Sequence, residues 1–245
     1  MRVLFIVHEQ FEAPGAIEAW ALERGNDLSV CRLYAGERLD EAPAAELLVV
    51  MGGPQSPDTT TVECPHFDSH GEQELIRRQI ESGRGVIGVC LGAQLLGQAL
   101  GARFEDSPET EIGNFTITLT AEGRRDELLA DVPDELEAGH WHSCMPGLTN
   151  SSVVLASSRG CPRQIVRYGP LAYGLQCHLE FTAELVDGLI ENSASDLELH
   201  AGSRFVQGPT RLRANSYVEM NRALVGFLDR FALRLADSVG TVAAA

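Results

Sequence analysis

A chain of 245 residues, 44% of them hydrophobic, is long enough to bury a sizeable core. Its formal net charge of −16 excludes nonspecific binding to nucleic acid or to an anionic membrane and favours solubility. No apolar run approaches the roughly 20 residues of a membrane span. The six scattered cysteines include no Cys-x-x-Cys, which suits reduced thiols in a cytoplasm better than a disulfide framework or a structural zinc site.

Met1-Arg2 leads directly into an apolar strand at residues 3–7, too short for a signal sequence, so a cytoplasmic protein is expected. Pro14 to Arg24 has helical spacing, with Ala16, Ile17, Trp20 and Ala21 on one side. A second strand alternates over residues 28–33. Leu47 to Met51 is a continuous apolar run, as expected of a parallel strand buried on both faces, and it ends in Gly52-Gly53-Pro54. A helix near residues 71–82 follows a polar stretch.

Residues 85–101 change texture abruptly. The apolar run Val86 to Val89 stops at Cys90, and helical spacing begins at once through Leu91, Leu95, Leu96 and Ala99. Gly88 and Gly92 flank the cysteine two residues to either side. Strand, sharp turn and helix with a nucleophile at the turn follow the physical logic of Gly-x-Ser-x-Gly, sulfur replacing oxygen. A thiol at a helix N-terminus faces unpaired N–H groups, which favours its thiolate.

Beyond Gly101, residues 115–120, 153–156, 164–168 and 172–176 read as short strands in an antiparallel patch. Thr182 is placed to cap a helix carrying Leu185, Val186, Leu189 and Ile190. Residues 193–214 carry no clear pattern. Ser216-x-x-Glu219 reads as a capping box opening a last helix with Met220, Leu224, Leu228, Phe231 and Leu235. Strands alternating with helices predict a doubly wound α/β fold with a mostly parallel sheet, flanking helices and a small antiparallel patch. One domain over residues 1–237 is expected, with 238–245 a disordered tail.

A cysteine nucleophile needs a base and a group to orient it. His178-Leu179-Glu180 supplies both, because residues i and i+2 of an extended chain point the same way, roughly 6–7 Å apart. Glu180 can hold one ring nitrogen of His178 while the other faces Cys90. By itself His-x-Glu is a weak signal. The Gly52-Gly53 pair can turn a backbone N–H toward an oxyanion, and the Leu91 N–H supplies a second donor. His140-x-His142 invites a metal reading with Cys144, His178 or Cys177, but the zinc-type spacing is missing, so no metal and no cofactor are expected. Trp141 reads as packing.

Gly88-Val89-Cys90-Leu91-Gly92-Ala93-Gln94, with Gly52-Gly53-Pro54 and His178-Leu179-Glu180, resembles the class I (triad) glutamine amidotransferases. Within them it resembles most the stand-alone GMP-synthase-type glutaminase domains. The resemblance runs in order from Val3 to about Ile190. It implies hydrolysis of the glutamine side-chain amide through a γ-glutamyl thioester, with Cys90 as nucleophile, His178 as base and then acid, and Glu180 as its orienter. It also implies oxyanion donors at Gly53 and Leu91. Substrate contacts are implied at Gly52, at Gln94 and in the Gly139-His140-Trp141-His142 stretch with Ser143. Related single-domain members carry an acidic residue after that stretch, where Ser143-Cys144 stands here. No Gly-x-x-x-x-Gly-Lys-[Ser/Thr] loop or ATP-pyrophosphatase-type motif is present, so either the acceptor chemistry lies on a separate synthetase subunit or glutamine is only hydrolysed. A γ-glutamyl peptidase acting on glutathione or its conjugates, and a regulatory subunit active only with a partner, are the alternatives.

Overall fold

The computed structural model describes residues 1–242. In chain order its strands and helices are β1 (Arg2–Val7), α1 (Ala16–Glu23), β2 (Asp27–Arg32), β3 (Leu47–Val50), α2 (Ser69–Glu81), β4 (Gly85–Val89), α3 (Leu91–Ala99) and β5 (Glu105–Leu119). There follow β6 (Glu135–Met145), β7 (Val153–Ser158), β8 (Ile165–Gly169), β9 (Ala172–Leu175), α4 (Ala183–Asn192), α5 (Ala194–Leu199), β10 (Phe205–Val206), α6 (Pro209–Arg213) and α7 (Val218–Val242). The strand order is β10-β5-β7-β8-β9-β4-β3-β1-β2, with β6 paired to β5.

The half β2-β1-β3-β4-β9 is parallel. The central strands β3, β4 and β9 are buried along their whole length because helices cover both faces, whereas the edge strand β2 is mostly half-buried or exposed. Successive side chains of β1 divide between two cores. Val3, Phe5 and Val7 join α1 and α7, whereas Leu4 and Ile6 join α2 and α3. The fold class is therefore the expected one: α/β, a mostly parallel sheet with flanking helices and an antiparallel patch.

The antiparallel part reaches further than the pattern shows. The strand expected over 115–120 runs from Glu105, and it pairs with β6, which has no counterpart among the expected elements. The arm from Glu105 to Thr110 is charged, contains Pro108 and is mostly exposed, so it has no inward face to produce alternation. Glu105 and Asp106 pair with β6, and between them and Glu111 the arm is held by Ser107 and Glu109, which donate to the Gly160 carbonyl.

Thr182 caps α4 as expected, accepting from the Leu185 N–H at 3.2 Å. The capping box before α7 is not made. The helix starts at Val218, the Tyr217 carbonyl accepts its first bond from Asn221, and Glu219 turns to Arg222 at 2.8 Å instead. The five expected apolar positions of α7 are nonetheless all buried. Of the tail expected from residue 238, the helix takes in residues through Val242, and 243–245 lie outside the described residues.

Close approach of α3 to the sheet requires two glycines. A Cβ at Gly88 would lie 2.2 Å from the Gly92 carbonyl oxygen, and one at Gly92 would lie 2.0 Å from the Val50 oxygen. Both obstacles are backbone and have no rotamer to change. Gly92→Ala is therefore expected to prevent accumulation of folded protein or to destabilise it by more than about 3 kcal/mol, in the range of severe overpacking. Gly188→Ala, in α4 with only ordinary contact to Phe11 at 3.7 Å, is expected to add up to about 1 kcal/mol through helix propensity. Urea unfolding of the two variants checks both.

Candidate active site

The candidate groups gather at the carboxyl ends of parallel strands, where open α/β sheets bind ligands. Cys90 follows β4, Gly52 and Gly53 lie just past β3, and His178 lies three residues past β9. Cys90 has φ 51° and ψ −108°, and it is the one non-glycine residue with positive φ among those described. A side chain in that region is strained by about 1–3 kcal/mol and persists only where its surroundings enforce it. Here the 2.7 Å bond from the Cys90 N–H to the Leu175 carbonyl and the packing of α3 against β3 enforce it. The first N–H groups of α3, Leu91 among them, have no intrahelical acceptor.

His178 is 1% exposed and Glu180 2%. Nδ1 of His178 donates to Glu180 Oε1 at 2.6 Å, while its buried Nε2 has no hydrogen-bond partner. The ring of Phe181 stacks on the imidazole at 4.2 Å and 15°, fixing its plane. A point one Cβ out from Gly52 is 3.4 Å from His178 Cε1 and 3.5 Å from Cys90 Cβ, so the imidazole and the cysteine both adjoin this glycine. Burial disfavours charge on His178, but the Glu180 carboxylate and the Cys90 thiol outweigh it and lift its pKa well above the ordinary histidine value.

The backbone around this pair is gripped from several sides. His178 exchanges backbone bonds with Gly139 on β6, 2.8 and 3.2 Å. The Ala16 N–H of α1 donates to the Glu180 carbonyl, and Asn221 of α7 donates to the carbonyls of Leu179 and Phe181. A thiol at a strained turn, an imidazole with a free nitrogen and a buried carboxylate are the parts that nucleophilic catalysis requires.

A cavity of about 250 Å³ opens on Cys90. Gly53, Leu91, Gln94, His142 and Ser143 all line it, and Gly52 lies beside it against Cys90 and His178. Gln94 is held by the side chain of Gln176 at 3.0 Å. Ser143 is exposed, and the Cys144 thiol faces Asp106 at 3.8 Å. Three acidic or basic residues in the lining, Glu12, Asp196 and His200, carry no signal in the sequence. Glu12 sits in the β1–α1 loop, and Asp196 and His200 belong to the stretch without clear pattern, where α5 forms the rim. Burial pushes the Glu12 carboxyl up to about 7, with His178 opposing.

Glu111, His140 and His142 are the one group among the described residues placed to hold a metal ion. Their nearest atoms are 3.4–3.7 Å apart. Several of their polar atoms are engaged within the protein. The Gln164 amide reaches Glu111 at 2.7 Å and His142 at 3.3 Å, and Ser158 donates to Glu111. His140 donates its Nε2 hydrogen to the Phe115 carbonyl at 3.2 Å. Desolvation holds His140 neutral, its pKa near 3, and drives His142 well below the ordinary value. The cluster lies behind the cavity wall that His142 forms, where burial disfavours charge on each of its members.

The same desolvation lifts Glu111 from 4.5 to about 7, against bonds from Ser158, Gly160 and Gln164. Between those values the folded chain holds a proton that the unfolded chain has released, so stability falls as pH rises through that window. Glu111→Gln cannot ionise. Relative to wild type it is expected to gain on the order of 1–3 kcal/mol between pH 5 and pH 8, whatever its offset at pH 5. Urea unfolding at the two pH values measures the difference.

The glutamine amidotransferase class-I family model matches residues 16–194. The glutamine amidotransferase-like protein YfeJ of Salmonella typhimurium is 53% identical over 234 residues, covering 95% of this chain and 98% of YfeJ. A crystal structure of a glutamine amidotransferase from Thermotoga maritima superposes with a TM-score of 0.82 at 25% identity, covering 94% of this chain and 97% of that one. GMP synthase (glutamine-hydrolysing) of Edwardsiella ictaluri is 29% identical over 163 residues, covering 62% of this chain but 29% of that enzyme.

Proposed function

Because the chain belongs to the class I glutamine amidotransferase family, we propose that it hydrolyses the side-chain amide of glutamine through a γ-glutamyl thioester on Cys90. The observation that carries the reading is the imidazole of His178, held by Glu180 on one nitrogen and free on the other, facing a cysteine in a strained turn.

His178 takes the Cys90 proton, and the thiolate attacks the amide carbon. The oxyanion accepts from the N–H groups of Gly53 and Leu91. Collapse expels ammonia, protonated by His178, and leaves the thioester. His178 then takes a proton from water, the resulting hydroxide attacks the thioester, and glutamate leaves as Cys90 recovers its resting state. No metal or organic cofactor enters this scheme. Gly52, Gln94, His142 and Ser143 are the proposed substrate contacts.

Glutamine is favoured over glutathione on electrostatic grounds. The cavity lining carries Glu12 and Asp196 and no arginine. A leaving group bearing a carboxylate therefore meets Asp196 and a partly ionised Glu12 with no Arg or Lys to pair it, which is a means of discrimination in itself. The matched segment is less than a third of GMP synthase. The likeness to GMP synthase supports a synthetase partner as the user of the ammonia. The described residues contain no helix long and apolar enough to cross a membrane, which is compatible with a cytoplasmic setting.

Ammonia release by the purified chain tests the reading. Cys90→Ala is expected to abolish it, and Glu180→Gln to lower kcat on the order of a hundredfold while leaving measurable turnover, because nucleophile and oxyanion donors remain. Glutamine is expected to exceed glutathione in kcat/KM. A tenfold preference for glutathione, worth about 1.4 kcal/mol, transfers the activity to a γ-glutamyl peptidase.

A further inference from the structure

One buried pair beside the cavity has no part in this scheme. His8, the residue after β1, is 0% exposed, and Glu72, in the first turn of α2, is 1% exposed. His8 Nδ1 lies 2.8 Å from the Gly52 carbonyl oxygen, and Nε2 lies 2.8 Å from Glu72 Oε2. A carbonyl oxygen only accepts, so Nδ1 carries a hydrogen and donates it to Gly52. The ring is held edge-on to Phe67 at 5.6 Å, and His8 Cβ is 3.1 Å from where a Cβ on Gly53 would stand. Burial works against charge on His8, but the Glu72 carboxylate and the Gly52 carbonyl leave its pKa raised.

The bond has a consequence for the neighbouring N–H. A trans peptide holds its C=O and the following N–H in opposite directions, and no cis bond occurs among the described residues. Fixing the Gly52 carbonyl toward His8 therefore fixes the Gly53 N–H away from it. That N–H has no acceptor among the described residues, and Gly53 lines the cavity with Cys90 and Leu91. A Gly-Gly link is the least restrained peptide a chain can offer. An unheld one turns readily, and an oxyanion donor is effective only if its direction is set before reaction.

We propose that His8, oriented by Glu72, is a positioning residue for the oxyanion hole, holding the Gly52–Gly53 peptide so that the Gly53 N–H faces the reacting carbonyl. The inference rests on the reading of Cys90 as nucleophile and Gly53 as donor, and it adds what sets the direction of that donor. The pair bonds a backbone atom and touches no reacting group, so it acts through the transition state without contributing to ground-state binding.

The test uses the full chain in two variants. His8→Leu/Glu72→Met removes both members together, so that no buried carboxylate is stranded, and apolar replacement of a buried pair is commonly tolerated. Glu72→Gln is the conservative partner, since its amide can donate to Nε2 and leave the Nδ1 hydrogen on Gly52. For the double variant, kcat on glutamine is expected to fall about 10- to 100-fold with KM within about threefold, part of the 10²–10³ attached to one oxyanion donor. Cys90 alkylation by iodoacetamide, which needs no oxyanion hole, is expected at the wild-type rate. Glu72→Gln is expected to retain most of kcat.

A folded double variant with kcat within twofold of wild type overturns the proposal. So does a loss of kcat that alkylation shares in proportion, which marks a general distortion of the site. The crystal structure of the double variant is the independent measurement. A turned Gly52–Gly53 peptide is expected, and an unchanged one overturns the proposal even if wild type proves inactive on glutamine. Inactivity of wild type on every γ-glutamyl substrate is a failure of the functional reading instead, and the two outcomes are thereby kept apart.

Discussion

The structure of the site depends on how closely α3 presses on the sheet. Gly92 lets the first turn of α3 lie against the Val50 carbonyl, and Gly88 lets β4 lie under the same turn. With the helix held there, the chain can pass from β4 into α3 only through a left-handed residue, and that residue is Cys90. Several consequences follow from this single constraint. The side chain is thrust out of the sheet edge toward the cavity, the unpaired N–H groups of α3 come to lie beside it, and its own N–H is tied to β9.

The partner groups reach the cysteine by a different route. His178 and Glu180 lie on an extended segment after β9 with no regular hydrogen-bonding neighbour on both sides. Its register comes instead from a few bonds to β6, α1 and α7. Three elements far apart in the chain thus meet on four residues, His178 to Phe181. The Gly139 contact also joins the imidazole to the strand that carries His142 and Ser143, so His178 and that wall of the cavity are set by one pairing. A substitution at Asn221 or Gly139 would act on the imidazole without touching it.

Much of this was legible in the residues because local pattern and global fold agree. The continuous apolar runs of β3 and β4 announce a parallel sheet, and the switch from Val89 to Leu91 marks the elbow. The i, i+2 placement of His178 and Glu180 is a property of extended chain that survives in the fold. The parts that were not legible are those set by distant contacts. The charged arm of β5 is held extended by distant partners, β6 at Glu105 and Asp106 and the Gly160 carbonyl at Ser107 and Glu109. Ser216 and Glu219 match a capping box, but Glu219 finds Arg222 and the box is not formed. Glu12, Asp196 and His200 line the cavity from loops and a short helix whose sequence has no periodicity to read. His8 left one trace, a polar residue at the carboxyl end of a fully apolar strand, where ligand sites of such sheets lie.

The central claim is that Cys90 carries the acyl group. Rapid mixing with glutamine, an acid quench and peptide mass mapping of the trapped enzyme address it directly. A mass increase of one glutamyl unit is expected on the Cys90 peptide, appearing before glutamate accumulates and absent from Cys90→Ala. Turnover of glutamine with the adduct on another cysteine, or turnover that survives in Cys90→Ala, would contradict it.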